Sequence, residues 1–196
     1  MRFSQKERKD LLNAGLMLSL AFAILLSGGL GGFFRINFLI IFVLAFFTAG
    51  IGFLFHEMMH KYVAQNYGLL AEFRASYKML WLALLFSLFG FIIAAPGAVF
   101  IRGHITQEKN GKISMAGPLT NIILALIFLI LILILKPSGI LNAFFGFGLT
   151  INSLLAAFNM IPVMPFDGAK VFVWNKKIYS IILILGIGLF VLSFLI

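Results

Sequence analysis

A chain with five long hydrophobic runs, nearly free of charge, has few places to put its backbone except a lipid bilayer. The runs extend from Leu11 to Leu30, Asn37 to about Tyr62, Ser114 to Leu135, Ile140 to about Pro162, and Ile178 to Ile196. A spanning helix needs about 20 consecutive apolar residues. Five or six such helices with short connections use up a chain of 196 residues. Only 11% of the residues are charged and 62% are hydrophobic, whereas a soluble domain carries roughly 25% charged residues. Mean hydropathy is +1.11 over the whole length, so apolar character is not confined to one anchor. The expectation is an all-α polytopic membrane protein of five to six transmembrane helices. It forms a single membrane-embedded domain over residues 1–196, with its core at about 37–177. No linker, low-complexity tract or internal repeat interrupts it. Met1–Asp10 is basic, and the apolar run behind it shows no cleavage site, which predicts a retained first helix.

Topology follows from where the basic residues fall. Net charge is +9, and Lys and Arg gather in cytoplasmic loops. Nucleic acid is not an expected partner, because no folded soluble unit offers a basic face. The absence of cysteine excludes disulfides and thiolate zinc sites. The ambiguous stretch is Trp81–Ile101, which is long enough to span but contains Ala94-Ala95-Pro96-Gly97-Ala98, a helix breaker. Suppose it does not cross and the N-terminus is cytoplasmic. Arg2, Lys6, Arg8, Lys9, Lys61, Arg74, Lys78, Arg102, Lys109, Lys112, Lys170, Lys176 and Lys177 then lie inside, 13 against 2 outside, Arg35 and Lys136. If it does cross, the split becomes 8 against 7. The first arrangement is preferred, so Trp81–Ile101 reads as a re-entrant or partly embedded element. Irregular backbone at membrane depth is tolerated only where protein buries it or water lines it, which suggests a cavity. Phe33-Phe34-Arg35 reads as a short turn, and Gly168–Asn175 as a short helix.

The chemistry concentrates in His56-Glu57-Met58-Met59-His60, near the end of the second run. Residues four apart share a helix face, so both imidazoles can bind one zinc ion. Glu57 is then near enough to take a proton from water activated there. An ionisable group in a span costs about 2.5–3.5 kcal/mol on insertion scales, which disfavours an idle polar cluster. Catalytic zinc keeps three protein ligands and one open position. The candidates for a third ligand are Glu7, Asp10, Glu72, His104, Glu108 and Asp167. Glu7 and Asp10 sit in the charged N-terminal tail. Glu72 and Glu108 lie beside basic residues, and His104 is in a polar loop. Asp167 stands apart, in apolar surroundings after the fourth run. It is read as the ligand, with the N-cap of the helix beginning at Gly168 as the alternative. In the 13-to-2 topology the second and fourth runs both end on the cytoplasmic side, which brings His56, His60 and Asp167 to similar depth.

Three motifs in order carry a resemblance: His56-Glu57-x-x-His60, then Ala116-Gly117-Pro118-Leu119-Thr120-Asn121, then Asn159 through Pro162, Pro165, Asp167 and Gly168. Over about Ile51 to Lys177 the chain resembles the site-2 protease family of intramembrane zinc metalloproteases, in its compact prokaryotic form. The resemblance implies one zinc ion per chain, held by His56, His60 and Asp167, with Glu57 as general base. It implies a catalytic role for Asn159 towards substrate or oxyanion, with a helix–helix hydrogen bond as the simpler account. Gly117 and Asn121 match a motif on the third core span, where close packing by small residues accounts for Gly117. Pro162 and Pro165 break the helix and let Asp167 bend back. A re-entrant β element falls at Ala94–Val99, where an unwound substrate segment could pair by strand addition. The implied function is hydrolysis of transmembrane protein substrates near the cytoplasmic side, in the lipid bilayer of a prokaryotic cell membrane. A non-proteolytic metal-binding transporter or chaperone is the alternative, though the paired repeats of a transporter are absent. Relatives often carry a PDZ or other soluble domain, for which no room is expected here. The oligomeric state is not legible.

Overall fold

The computed structural model describes residues 1–33, 37–92 and 95–196. Residues 34–36 and 93–94 lie outside that description. They include most of the expected turn at Phe33-Phe34-Arg35 and Ala94 of the small-residue run. The protein is mostly helical. Among the described residues four helices are long and apolar enough to cross a membrane: Gln5–Leu26, Phe38–Asn66, Gln107–Leu135 and Gly139–Asn159. They correspond to the first four expected runs, and the protein is an integral membrane protein. The expected fifth span, Ile178–Ile196, forms a helix over Lys176–Leu192 that is 17 residues long, somewhat short of the 20 or so that a bilayer requires. By its internal contacts the chain divides into two compact units. One is Arg2–Leu54 with Glu72–Phe100; the other is Met1, Phe55–Ala71 and Ile101–Ile196.

In the first unit, α1 (Gln5–Leu26) packs against the short helix α2 (Leu30–Phe33), α3 (Phe38–Ala45) and the π-turn Phe46–Gly50 that follows α3. Ser4 caps α1, its hydroxyl accepting from the Glu7 amide at 3.1 Å. At Gly50 an added Cβ would strike the Ser19 hydroxyl and crowd the Gly15 carbonyl at 3.2 Å, so the π-turn lies close against α1 there. From there the helix continues as α4 (Ile51–Asn66). The stretch Trp81–Ile101 proves to be two elements. A 12-residue helix, α5 (Tyr77–Leu88), starts earlier than expected. At 1.5 Å per residue it is about 18 Å long, too short to cross. A turn at Gly90, φ +89°, ends it, and the strand β2 (Gly97–Arg102) follows.

The partner of β2 is β1 (Leu70–Ala75), in a two-stranded antiparallel sheet. This strand was not anticipated, although Leu-Ala-Glu-Phe-Arg-Ala carries period-two burial at Ala71 and Phe73. It also overturns the reading of Glu7 and Asp10 as members of a charged N-terminal tail. Both are buried. Glu7 Oε1 accepts the Phe73 amide at 2.8 Å, and Asp10 accepts the Ala75 amide at 3.4 Å and the Tyr77 hydroxyl at 2.9 Å. The Ser76 amide instead reaches the Pro96 carbonyl at 2.9 Å. Carboxylates on α1 therefore occupy amides on the side of β1 away from β2.

In the second unit, α6 (Gln107–Leu135) and α7 (Gly139–Asn159) form a helical hairpin. Its turn needs left-handed backbone at Lys136, φ 44°, and Gly139, φ 58°. The helices α8 (Asp167–Trp174) and α9 (Lys176–Leu192) pack against this pair. Ile122, Ala125, Leu149, Met160, Val171 and Ile182 centre the core. At Gly111 a Cβ would overlap the Trp174 side chain, so that side chain of α8 packs directly on the α6 backbone. The opposite face of α6 exposes Ile123, Ile127, Ile130, Leu133 and Ile134. Spacings of three and four put them in one stripe. An exposed apolar stripe of that length faces lipid.

Candidate metal centre

His56, Glu57 and His60 lie on α4, and all three are buried. The helical spacing does what it predicts: the two imidazoles face the same way, with ring centroids 4.6 Å apart. Asp167 reaches them from the far end of the sequence. The chain leaves α7 at Met160, passes Pro162 and a cis Met164–Pro165 bond, and re-enters a helix at Asp167. Gly168 makes this return possible, because a Cβ there would overlap the Met160 and Ile161 carbonyls. The cap position of α8 is Phe166 and no side chain caps it, so Asp167 is not the helix cap. Its Oδ2 instead lies 3.3 Å from His56 Nε2 and 3.0 Å from His60 Nε2. Its Oδ1 takes a contact from Lys170 Nζ at 3.4 Å.

The three donor atoms lie within 4.8 Å of one another, and their chemistry fits a cation. His60 Nδ1 sits 2.8 Å from the Ile113 carbonyl. That oxygen can only accept, so Nδ1 carries the proton and Nε2 presents its lone pair. His56 Nδ1 sits 2.6 Å from Asn121 Oδ1, with the same consequence. Two lone pairs and a carboxylate oxygen then converge, an arrangement that repels itself without a positive ion between. Gly117 on α6 completes the cradle. A Cβ there would overlap the Nε2 atoms of both histidines. Close packing by a small residue is therefore only part of the account of Gly117, since the room it leaves is at the donor atoms themselves.

Glu57 Oε2 is buried with no hydrogen-bond partner. Buried polar atoms are nearly always paired, so an orphaned carboxylate oxygen beside a metal site is a mark of chemistry. Asn159, at the end of α7, is half-buried and donates to the Leu155 carbonyl of its own helix at 2.9 Å. That bond is within the helix, not across helices. The other candidates are elsewhere. Glu72 pairs with Arg74 at 2.8 Å, Glu108 pairs with Lys112, and His104 is exposed. Sequence reasoning missed Asn152, whose Oδ1 accepts from Asn121 Nδ2 at 3.0 Å, and Lys170. A polar amide in an apolar run was the available signal for Asn152. Lys170 had only its three-residue spacing from Asp167.

Comparison with known proteins agrees with this geometry. No family model matches the chain, and no solved structure gives a significant match. The chain is 45% identical over 184 residues to the Methanocaldococcus jannaschii protein named "Putative zinc metalloprotease MJ0611", covering 92% of this chain and 91% of that one. It is 27% identical over 142 residues to "Zinc metalloprotease MJ0392" of the same organism, covering 67% of this chain but only 33% of that longer protein. It is 28% identical over 144 residues to "Putative zinc metalloprotease YwhC" of Bacillus subtilis, covering 63% of this chain and 65% of that one. At 45% identity over nearly the whole of both chains, the kinship is plain: this chain belongs to the site-2 protease family of zinc metalloproteases, and zinc is the metal that its His-His-Asp site takes.

Proposed function

We propose that the protein is an intramembrane endopeptidase that hydrolyses peptide bonds in transmembrane segments of other proteins, near the cytoplasmic side of a prokaryotic cell membrane. His56, His60 and Asp167 are the metal ligands in this reading. Zinc bound there supplies a Lewis acid for the scissile carbonyl and lowers the pKa of water. Glu57 removes a proton from the attacking water and passes it to the leaving amine. The orphaned Oε2 of Glu57 carries this assignment, because it has no structural partner to serve. Asn159 contributes a polar side chain towards the substrate or the developing oxyanion. The placement of the chemistry in the bilayer rests on α4, since His56 and His60 lie within the 29-residue apolar helix Phe38–Asn66. Basic residues partition 13 to 2 if the N-terminus is cytoplasmic, which supports the cytoplasmic depth of the site.

A helical substrate hides its carbonyls in its own hydrogen bonds, so it must unwind before it is cut. An extended segment could then add to the sheet at β2, because Glu7 and Asp10 already occupy amides along the outer side of β1. The test is Glu57→Gln, with a transmembrane model substrate in liposomes. Cleavage is expected to vanish while zinc content stays at one per chain. Undiminished cleavage by that variant would refute the assignment of the base. Cleavage confined to soluble peptides would refute the intramembrane substrate.

A further inference from the structure

Beyond the three ligands, the second unit holds a chain of side chains with no part in the reaction above. Asn121 on α6 and Asn152 on α7 are both fully buried. Asn152 Nδ2 donates to the Gly148 carbonyl at 2.9 Å, Asn121 Nδ2 donates to Asn152 Oδ1 at 3.0 Å, and Asn121 Oδ1 faces His56 Nδ1 at 2.6 Å. A carboxamide can present either its oxygen or its nitrogen, but here the choice is forced from one end. The Gly148 carbonyl only accepts, so Asn152 must turn its NH2 towards it. Its oxygen then faces Asn121, whose NH2 must turn to meet it, and this leaves the Asn121 oxygen facing His56. Were Asn121 reversed, its NH2 would meet Nδ1. The ring proton would then move to Nε2, the atom aimed at Asp167, where it would block metal ligation. His60 needs no such relay, because the Ile113 carbonyl contacts its Nδ1 directly.

We propose that Asn152 is a positioning residue for the metal: acting through Asn121, it holds His56 in the tautomer and ring orientation that present Nε2 to the ion. This rests on His56 being a ligand, as proposed above. It is distinct from helix–helix adhesion, which would stabilise the α6–α7 hairpin and leave both histidines alike. Partners that orient a ligating histidine are typically worth 10–100-fold in metal affinity.

The chain has three histidines, so nitrogen-15 labelling of histidine resolves which ring nitrogen carries the proton in the zinc-loaded, detergent-solubilised protein. In the native protein His56 and His60 are expected to be protonated at Nδ1. In Asn152→Leu, which replaces the carboxamide by an apolar branched group, the His56 signals are expected to shift towards the Nε2-protonated form while those of His60 stay put. Zinc affinity, measured by chelator competition, is expected to fall roughly tenfold. Asn152→Asp keeps an acceptor facing Asn121 and is expected to bind zinc closer to the native protein than Asn152→Leu does. An unchanged His56 tautomer with unchanged zinc affinity in Asn152→Leu overturns the relay. If that variant does not fold, equal zinc affinity in Asn152→Ala and Asn152→Asp overturns it instead. His56→Ala separates the two ideas: zinc retained there overturns the ligand assignment, whereas zinc lost there with Asn152→Leu unaffected overturns the relay alone.

Discussion

Gly117→Ala tests the metal cradle with a single methyl group. The added Cβ would stand 2.6 Å from His56 Cδ2 and would overlap Nε2 of both histidines. Carbon atoms settle at about 3.5–4.0 Å, so the rings or α6 itself must retreat by about 1 Å. A constellation of this kind tolerates about 0.5 Å, and changes that disorient a ligating histidine cost about 10–100-fold in metal affinity. Zinc affinity should therefore fall by about 10–100-fold, equivalent to about 1.4–2.7 kcal/mol. The overpacking itself should cost a further 1–3 kcal/mol or so of stability. Chelator competition on the purified protein measures the first, and thermal unfolding of the metal-free protein measures the second. Gly146→Ala on α7 is the control, because a Cβ there meets nothing within 4 Å. It should be neutral or stabilising by about 0.4–1 kcal/mol, with native zinc affinity. If Gly117→Ala bound zinc and cleaved substrate as well as Gly146→Ala does, the close approach of α6 to the histidines would be wrong.

Zinc should raise the melting temperature of the native protein, by about 2.7 kcal/mol of stability at a free concentration 100 times its Kd. Asp167→Ala should abolish that rise, and a rise of native size in the variant would remove Asp167 from the site. Glu7→Ala leaves the Phe73 amide without its carboxylate acceptor, at a cost of about 1–3 kcal/mol. The effect should appear as a lower melting temperature and faster hydrogen exchange at Phe73, with zinc affinity unchanged. Native-like exchange at Phe73 would mean that the carboxylate does not hold β1.

What could be read in advance was governed by short-range periodicity. His56, Glu57 and His60 fall within one turn of helix, where a spacing of four guarantees a common face. The runs at Leu11–Leu30 and Ser114–Leu135 announce helices, because a bilayer leaves the backbone no other partner than itself. Asp167 stood out as an acid among apolar residues, and the prolines before it marked where the chain could turn. Charge density misled at Glu7 and Asp10. The spacing Ser4-x-x-Glu7 is a helix-start signal, which places those carboxylates on α1 and not in a tail.

The remaining features depend on contacts between distant parts of the chain. Nothing in Leu70–Ala75 names Gly97–Arg102 as its partner, and Trp81–Ile101 resolves into helix and strand only because β1 is there to pair with. The 3.0 Å approach of Asp167 to His60 needs the α7–α8 return over Gly168. The tautomer of His56 is set three side-chain and backbone groups away, at the carbonyl of Gly148. Local spacing can place two ligands on one helix because the geometry of a helix is the same everywhere. It cannot place the third, or orient the amides behind the first, because those positions depend on how separate helices pack.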